Sequence, residues 1–353
     1  MNIEVKTDLW TYLKSTERPI VMYGMGNGAD KILAVCERYG IEISDFFASD
    51  GFVRGHSFHS KTVLSYSQIK EKYKDPIVLL SFASSLPDVI ETIKKVDAET
   101  ELYAPDVPVF GDTLFNMEFF EENRKNFEMA YSMFCDERSR EVFESIINFK
   151  LSGKIKYLFD ADCDKDEVVS SILHTENYRV TADLGAYNGD TVRELLTYTL
   201  PQKIYALEPD RRNFRKLSEY SANETRCEVV PINAAAWSEK IVLTFDGSGN
   251  RNSNISSSAA KTVDVDALKL DDVIAEQCCD YIKYDVEGSE HQAIVGSQNT
   301  ISAYRPEMLV SAYHRSQDLF ELPFLIRSIC PDYRLYLRKF PYIPAWDLNI
   351  YAI

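Results

Sequence analysis

The segment that most constrains the fold runs from residue 180 to residue 195, VTADLGAYNGDTVREL. It begins with an apolar run that leads into Asp183, continues through Gly185 and Gly189, and then takes on a helical pattern. The next apolar run ends at Glu208, about 20 residues beyond the second glycine. A buried strand, a glycine turn, a helix and an acid at the tip of the next strand are typical of a doubly wound parallel sheet that binds an adenosine-type ligand at its edge.

The alternation of strand-like and helical patterns divides the chain into three parts. At 353 residues, the chain is long enough for two domains of roughly 150 residues each. Strand and helix patterns alternate over residues 1–105 and again over 171–353, whereas residues 106–170 carry mainly helical periodicity. This middle part predicts two helices, at 116–134 and at 136–150, the second with Asp136 as its N-cap. We therefore predict an α/β protein with two Rossmann-like doubly wound sheets joined by a helical connector.

The C-terminal unit has a predicted strand plan of its own. Two pairs of apolar runs predict a hairpin, at 241–245 with 262–265, and a closing antiparallel pair, at 334–338 with 348–353. The Ser-, Asn- and Gly-rich segment 247–260 between the hairpin strands is predicted to be a mobile tip and the best candidate for a lid over the substrate. Five further runs predict buried parallel strands: 180–184, 203–207, 227–232, 281–284 and 308–311.

A second glycine loop, GMGNGA at residues 24–29, lies in the N-terminal unit. Gly24 and Gly26, with Asp50 about 20 residues further on, fit the relaxed form of the dinucleotide-binding pattern. Two interpretations stay open. One is a second nucleotide site at Gly24, Gly26 and Asp50; the other is a Rossmann-like spacer that binds nothing and mediates formation of a homo-oligomer.

The net charge and the cysteines indicate which partners and which cellular compartment to expect. The chain has 39 basic and 55 acidic residues and a formal net charge of −16, which repels nucleic-acid phosphates and anionic lipid. No apolar stretch is long enough to span a bilayer, and the first residues, MNIEVKTDLWTYLK, lack the pattern of a signal peptide. Seven cysteines without a C-x-x-C pair are typical of reduced thiols, so we expect a cytoplasmic protein.

The segment DYIKYDVEGSEHQAI, residues 280–294, adds two carboxylates, Asp285 and Glu287, at the end of the fourth predicted strand. Together with DLGAYNGD, LEPDRRNF, NAAAWS, VDALKLDDV and SAYHRSQDLFELP, in order along the chain, it resembles the FkbM-type S-adenosylmethionine-dependent methyltransferases over residues 135–353. This resemblance implies a class I methyltransferase fold with S-adenosylmethionine as cofactor. It also implies methyl transfer to a hydroxyl of a small-molecule or saccharide acceptor, such as a sugar in a glycan or nucleotide-sugar precursor. The N-terminal unit is similar to the nucleotide-binding domain of bacterial sugar acetyltransferases.

The resemblance also implies which residues bind the cofactor. The first turn holds the methionine end, Glu208 the ribose, and the end of the third strand the adenine. Asp285 faces the amino group of the cofactor or the acceptor. The whole set is Asp183, Gly185, Ala186, Tyr187, Gly189, Asp190, Glu208, Asn233, Ala234 and Asp285.

Methyl transfer to a hydroxyl requires a group that takes the hydroxyl proton. His314 is predicted as this base because its unperturbed pKa lies close to neutrality, with Asp318 four residues later to orient it. Glu287 is the competing base, so the catalytic set is His314, Asp285 and Glu287. The same three residues are an alternative ligand set for magnesium or manganese. Because the sequence contains no close-spaced ligand set, a divalent metal is not favoured and no metal ligand is assigned.

Two other function classes compete with the methyltransferase. The N-terminal glycine loop would serve an oxidoreductase that uses NAD, or a NAD- or nucleotide-sugar-binding protein with a non-catalytic methyltransferase-like domain. Neither alternative explains why the DVEG segment and its companion motifs occur together in order. The methyltransferase is therefore the leading hypothesis.

Overall fold

The computed structural model describes residues 1–53, 55–246, 262–275 and 277–353. The N-terminal unit contains strands β1 (Ile20–Tyr23), β2 (Asp45–Ala48), β3 (Ser57–Phe58), β4 (Lys61–Thr62), β5 (Leu64–Ser65), β6 (Ile77–Leu80) and β7 (Glu101–Tyr103), with helices α1 (Leu9–Ser15), α2 (Asn27–Tyr39), α3 (Tyr66–Lys72) and α4 (Pro87–Glu99). Its main sheet has the order β5-β2-β1-β6-β7, with all neighbouring pairs parallel. Every residue of β1 and β6 is buried, as expected of apolar runs covered on both faces.

The connector lies entirely within the described residues and contains five helices, of which the third matches the second predicted helix. They are α5 (Met117–Glu122), α6 (Arg124–Met133), α7 (Glu137–Ser152), α8 (Lys156–Ala161) and α9 (Lys165–Ser171). Helix α7 begins as predicted after Asp136, whose carboxylate accepts a hydrogen bond from the Ser139 N–H at 2.9 Å. The predicted helix over 116–134 is interrupted at Asn123, whose side-chain amide donates to the Phe119 carbonyl, a local bond that competes with helix continuation. In the described part of the chain, no helix is long and apolar enough to cross a bilayer.

The C-terminal unit is built on a seven-stranded sheet. The strands of this unit are β8 (Val180–Leu184), β9 (Lys203–Leu207), β10 (Glu228–Ile232), β11 (Ala235–Ala236), β12 (Ile241–Asp246), β13 (Thr262–Leu268), β14 (Tyr281–Tyr284), β15 (Glu307–Ser311), β16 (Leu335–Lys339) and β17 (Leu348–Ala352). Of these, β11, β12 and β13 form a separate three-stranded sheet of order β11-β13-β12. Its helices are α10 (Asp190–Tyr198), α11 (Arg211–Asn223), α12 (Leu270–Ile274), α13 (Glu290–Val295), α14 (Gln298–Tyr304) and α15 (Asp318–Ile329). The sheet order is β10-β9-β8-β14-β15-β17-β16.

Five strands of this sheet are parallel, and β17 runs antiparallel to both of its neighbours. The predicted closing pair is therefore present, as β16 with β17. The predicted hairpin is also present, since β12 and β13 pair antiparallel over six residue pairs. Its predicted mobile tip, residues 247–260, lies outside the described residues. The observed architecture confirms the predicted α/β class with parallel, Rossmann-like sheets.

One hydrophobic cluster joins the three parts of the chain. It contains Val78 of the N-terminal sheet, Phe127 and Phe143 of the connector, and Tyr284 and Leu337 of the C-terminal sheet, all fully buried. Helix α7 packs on β16, so the connector is a core element rather than an extended linker. The two sheets are thus held in a fixed relation by shared apolar burial.

Candidate functional site

The carboxyl ends of four neighbouring parallel strands bring the predicted site residues together. Strand β8 leads into the glycine turn 185–189, β9 into Glu208, β14 into the turn 285–288, and β15 into the loop that carries His314. The order of strands reverses at β8, which lies between β9 and β14. In open α/β sheets, ligands bind in the crevice outside the strand ends at such a reversal.

The glycine turn is held tightly against the turn after β14. Gly185 has φ +87°, and a Cβ atom built there would lie 1.9 Å from the carbonyl oxygen of Asp285. Gly189 has φ +85° and precedes the first residue of α10. The turn also contains a non-glycine residue in the left-handed region, Tyr187 with φ +47°. These two glycines are therefore required by the geometry of the turn.

The backbone of this turn is already hydrogen-bonded within the protein. Gly185 and Ala186 both donate N–H to the carbonyl of Leu207, and Gly189 donates to the carbonyl of Ala186. The N–H of Tyr187 donates to Glu208 Oε2 at 2.9 Å. These four N–H groups are thus paired within the protein, and the binding of the methionine end of the cofactor by this turn stays a prediction.

Glu208 is a buried carboxylate that closes the turn from the side of β9. Its second oxygen accepts from the N–H of Asp210 at 2.8 Å. Burial raises the pKa of Glu208 to about 7, although the N–H groups of Asp210 and Tyr187 favour the carboxylate. Asn233 donates its amide to the carbonyl of Glu208 at 2.8 Å, and the adjacent Ala234 is buried. Asn233 and Ala234 therefore adjoin the predicted ribose acid.

A buried lysine links the first turn with the turn after β14. Lys283 Nζ donates to Asp183 Oδ1 at 3.1 Å and to the Gly185 carbonyl at 3.3 Å, and it lies 3.8 Å from Asp285 Oδ2. Burial raises the pKa of Asp285, but the charges of Lys283 and His314 have the larger effect and hold this pKa below its ordinary value. Asp183 also accepts from the Thr191 hydroxyl at the start of α10. Sequence analysis missed the role of Lys283, although it lies in the IKYD motif.

His314 lies at the centre of a cluster of carboxylates and is 1 % exposed. Its Nε2 is 3.5 Å from Glu287 Oε2 and 3.7 Å from Asp285 Oδ1, and its Nδ1 is 2.9 Å from Glu290 Oε1. Within the described residues, neither ring nitrogen has a partner in hydrogen-bond geometry. Burial lowers the pKa of His314, but these three carboxylates outweigh it and hold the pKa well above its ordinary value.

The carboxylate beside Nδ1 is Glu290 rather than the predicted Asp318. Glu290 Oε1 also accepts from the N–H of Val286 at 2.9 Å, so the same side chain holds the turn that carries Glu287. Asp318 instead accepts from the N–H of Arg315 at 2.8 Å, because it starts α15 and closes the preceding loop. Burial and the charge of Glu290 raise the pKa of Asp318 to about 8. The sequence places Glu290 at a helix start but gives no sign that it is buried.

The same cluster offers a set of donor atoms for a cation. One donor atom each from Asp285, Glu290 and His314 lies within 4.8 Å of the other two. The set differs from the sequence-based alternative, which has Glu287 in place of Glu290. A protonated His314 also balances the charge of these carboxylates, so the cluster does not require a metal ion. That the functional site holds no metal stays a prediction.

A cavity of about 390 Å³ opens beside Asp285, the one residue of this cluster that lines it among the described residues. It begins at Asp183 and Asp285 and extends between α9 and α10 towards the β16–β17 loop, where Tyr342 and Trp346 contribute to its lining. Its volume lies within the range of roughly 300–1,000 Å³ that is usual for small-molecule sites.

Segments of the N-terminal unit and of the start of the connector contact this region. Ser84, beyond β6, exchanges backbone hydrogen bonds of 2.8 and 3.0 Å with Ile343 in the β16–β17 loop. The N–H of Phe110 donates to the carbonyl of His314 at 3.1 Å, and the Phe110 ring lies under the Arg315 guanidinium. The segment after β7 therefore covers the His314 cluster, which sequence analysis did not anticipate.

The three residues of the predicted second nucleotide site lie at the carboxyl edge of the N-terminal sheet. Gly24 and Gly26 follow β1 with φ +111° and +99°, and Asp50 follows β2. Gly28 is required by packing, because a Cβ there would lie 2.1 Å from the Ser81 carbonyl oxygen.

Comparison with known proteins agrees with this architecture. Residues 183–343 match the family model described as the methyltransferase FkbM domain. The structure of an FkbM methyltransferase from Methylobacillus flagellatus KT has 21% sequence identity and a TM-score of 0.73, with 95% of this chain and 90% of that chain covered. At this identity the similarity establishes the fold, and it includes the N-terminal unit. No curated protein matches the chain.

More distant structures cover about half of the chain. A precorrin-6y C5,15-methyltransferase from Geobacter metallireducens GS-15 has 12% identity and a TM-score of 0.35 over 55% of this chain and 93% of that chain. Aeropyrum pernix fibrillarin, in complex with natively bound S-adenosyl-L-methionine, has 14% identity and a TM-score of 0.32 over 51% of this chain and 67% of that chain. The similarity of the N-terminal unit to sugar acetyltransferases stays a prediction. The match of residues 183–343 to the methyltransferase FkbM domain model supports S-adenosylmethionine as the cofactor.

Proposed function

We propose that this protein is an O-methyltransferase that transfers the methyl group of S-adenosylmethionine to a hydroxyl of a sugar in a glycan or nucleotide-sugar precursor. The observation that carries the proposal is the position of His314. This imidazole and its carboxylates lie at the same sheet edge as the ribose acid Glu208 and the glycine turn. A base and a cofactor site at one edge suit methyl transfer to a hydroxyl better than hydride transfer or binding alone.

The residues present fit the cofactor. Glu208 presents an acceptor-only carboxylate when ionised, which suits a ribose diol. Asp183 and Asp285 line the adjoining cavity, where negative charge stabilises a ligand of positive charge. When bound, S-adenosylmethionine supplies a methyl group on a positively charged sulfur.

His314 takes the hydroxyl proton at Nε2 in this proposal. Asp285 and Glu287 face that nitrogen, and Glu290 faces the other. Three carboxylates stabilise the imidazolium that forms when the proton arrives. Glu290 also holds the turn of Glu287 and thereby acts as a positioning residue. Exclusion of water by the segment around Phe110 keeps these interactions strong.

Calorimetric titration with S-adenosylhomocysteine tests the cofactor site. We expect one binding site per chain in the wild-type protein and at least tenfold weaker binding in an Asp183→Asn, Glu208→Gln double variant, which keeps the side-chain shapes. A Glu219→Gln variant, at an exposed position of α11, is the matched control and should bind as the wild type does. No binding by the folded wild-type protein would contradict the proposal, and NAD and nucleotide-sugars would then be titrated in its place.

Cofactor affinity should depend on pH through Glu208. The Glu208 side chain accepts hydrogen bonds from both hydroxyls of the ribose most strongly when it is ionised, and its pKa is about 7. The affinity for S-adenosylhomocysteine is therefore expected to be full above pH 8 and to fall as the pH drops through 7, towards tenfold per pH unit. Titrations from pH 5.5 to 8.5 measure this. A Glu208→Gln variant should show weaker binding without this dependence, and a flat wild-type profile would refute it.

The cellular setting is part of the proposal. All seven cysteines are free, which supports a reducing compartment and hence the cytoplasm. The net charge of −16 supports a small-molecule or saccharide acceptor over a nucleic acid. If the N-terminal unit is a spacer that binds no nucleotide, we propose that its role is to form a homo-oligomer.

The N-terminal loop supports a second, independent candidate. Gly26 has open space where a Cβ would stand, and its position before α2 leaves the helix start without a side-chain cap. We propose a nucleotide site at Gly24, Gly26 and Asp50. A rise in melting temperature with a nucleotide or nucleotide-sugar, lost in Gly26→Val, is the expected result. No rise with any nucleotide would leave the N-terminal unit as a spacer.

A further inference from the structure

The cavity beside the cofactor site has a lining of unusual charge. Among the described residues, it includes five carboxylates and two lysines. Lys165 pairs with Glu194 at 2.6 Å and Lys283 with Asp183 at 3.1 Å. The carboxylates beyond these two pairs are Asp190, Asp285 and Asp347. A ligand in this cavity therefore meets an excess of negative charge.

The far end of the cavity is aromatic. The rings of Tyr342 and Trp346 lie 5.8 Å apart, centroid to centroid, and both residues are half-buried. Phe340 lines the same region and lies under the Lys165 ammonium, 5.1 Å from it. Aromatic faces accept the apolar C–H face of a sugar ring, while carboxylates accept hydrogen bonds from its hydroxyls.

The aromatic wall is fixed before any ligand arrives. The β16–β17 loop is closed by a 3.0 Å hydrogen bond from the Phe340 N–H to the Asp347 carbonyl. Ser84 of the N-terminal unit holds the loop from outside through its two backbone bonds to Ile343. A preformed wall of this kind selects a ligand by shape and charge rather than adapting to it.

We infer that this cavity holds the acceptor and that the acceptor ring bound there is an uncharged, polyhydroxylated ring, with anionic sugars excluded. This inference rests on the proposed function and names the class of its substrate. The net positive charge of the bound cofactor offsets part of the negative lining, so the acceptor itself needs no charge. A phosphate or carboxylate on the ring would be repelled by the lining carboxylates Asp190 and Asp347, which form no ion pair among the described residues because Lys165 is already paired with Glu194.

Saturation-transfer NMR with the full chain and S-adenosylhomocysteine tests this. The probes are methyl glycosides of neutral hexoses and 6-deoxyhexoses, each beside the matching uronic acid and 6-phosphate. We expect binding of at least one neutral glycoside, and at least tenfold weaker binding of its anionic counterparts. Equal or tighter binding of the anionic sugars, or no binding of any neutral glycoside, would overturn the inference.

Variants locate the binding. Trp346→Ala should weaken the neutral glycoside at least tenfold and leave the affinity for S-adenosylhomocysteine unchanged. Asp347→Asn, which keeps the shape of the wall, should narrow the discrimination against anionic sugars, whereas Asp332→Asn, at an exposed surface position, should not. Unchanged glycoside binding in a folded Trp346→Ala variant would place the ring elsewhere.

The experiments distinguish failure of the proposed function from failure of the inferred substrate class. If the protein binds S-adenosylhomocysteine but selects anionic sugars, the methyltransferase stands and the substrate class is wrong. If it binds no S-adenosylhomocysteine, the proposed function fails. The same NMR experiment without that ligand then still shows whether the cavity takes a neutral sugar.

Discussion

A Gly185→Ala variant is expected to bind S-adenosylhomocysteine at least 100-fold more weakly than the wild-type protein. The added Cβ would lie 1.9 Å from the Asp285 carbonyl oxygen, and φ at this position is +87°. The neighbour is backbone, so the two turns must separate to relieve the contact. Their separation displaces Asp285 and weakens the hydrogen bonds of Lys283 to Asp183 and to the Gly185 carbonyl, which link the two turns. Calorimetric titration and thermal unfolding measure the loss of binding and the strain, about 1–3 kcal/mol.

The control is a variant with a similar steric clash far from the cofactor site. Gly28→Ala would bring a Cβ within 2.1 Å of the Ser81 carbonyl oxygen in the N-terminal unit. We expect it to lower the melting temperature as Gly185→Ala does, with one S-adenosylhomocysteine site per folded chain retained. Wild-type affinity in Gly185→Ala would show that the contact between the two turns does not shape the cofactor site.

The parts of the site that are predictable from the sequence lie at strand ends. A buried apolar strand followed by Gly185 and Gly189 is a local pattern, and the edge at which parallel strands end is set by topology. The position of Glu208 and Asp285 at one edge follows from those two facts. The pairing of β16 with β17 is predictable for a similar reason, because each reads as an apolar run of strand length.

The rest depends on burial and on contacts between distant segments. Glu290 and Asp318 have similar sequence surroundings, each at the start of a helix, yet only Glu290 faces His314 Nδ1. Nothing local distinguishes them, since the packing of α13 and α15 decides which carboxylate points inward. The cover formed by Phe110 over His314 joins residues about 200 positions apart and leaves no periodic trace in the sequence.

Turnover is expected to fall by about 10²–10⁴-fold in His314→Ala, with the affinity for S-adenosylhomocysteine changed less than twofold. The side chain lies beside Asp285 and Glu287 but makes no contact with Glu208 or the glycine turn in the described structure. In the proposed mechanism, its loss therefore removes the proton acceptor and leaves Glu208 and the glycine turn unchanged. Single-turnover kinetics and calorimetry separate the two effects, and a folded His314→Ala variant with wild-type turnover would transfer the role of base to Glu287.

The charge state of His314 gives this role a second signature. The carboxylates hold its pKa well above the ordinary value, so the free protein carries an imidazolium near neutral pH, which cannot accept a proton. A positively charged ligand near Asp285 opposes that proton and lowers the pKa. Binding of S-adenosylmethionine is therefore expected to release more protons than binding of S-adenosylhomocysteine, whose sulfur is uncharged. Titrations at pH 7.5 in buffers of different ionisation enthalpy count these protons.

Proton release measured in Glu290→Gln and His314→Ala variants shows whether the released proton comes from His314. Glu290→Gln removes the charge beside Nδ1, lowers the pKa of His314 and should reduce the difference between the two ligands, while His314→Ala should abolish it. Equal proton release by both ligands in the wild-type protein would contradict the coupling. If the expected proton release is observed, the proposed base is free to accept a proton only when the cofactor is in place. The same carboxylates then favour its return from the hydroxyl as the charge on sulfur is lost.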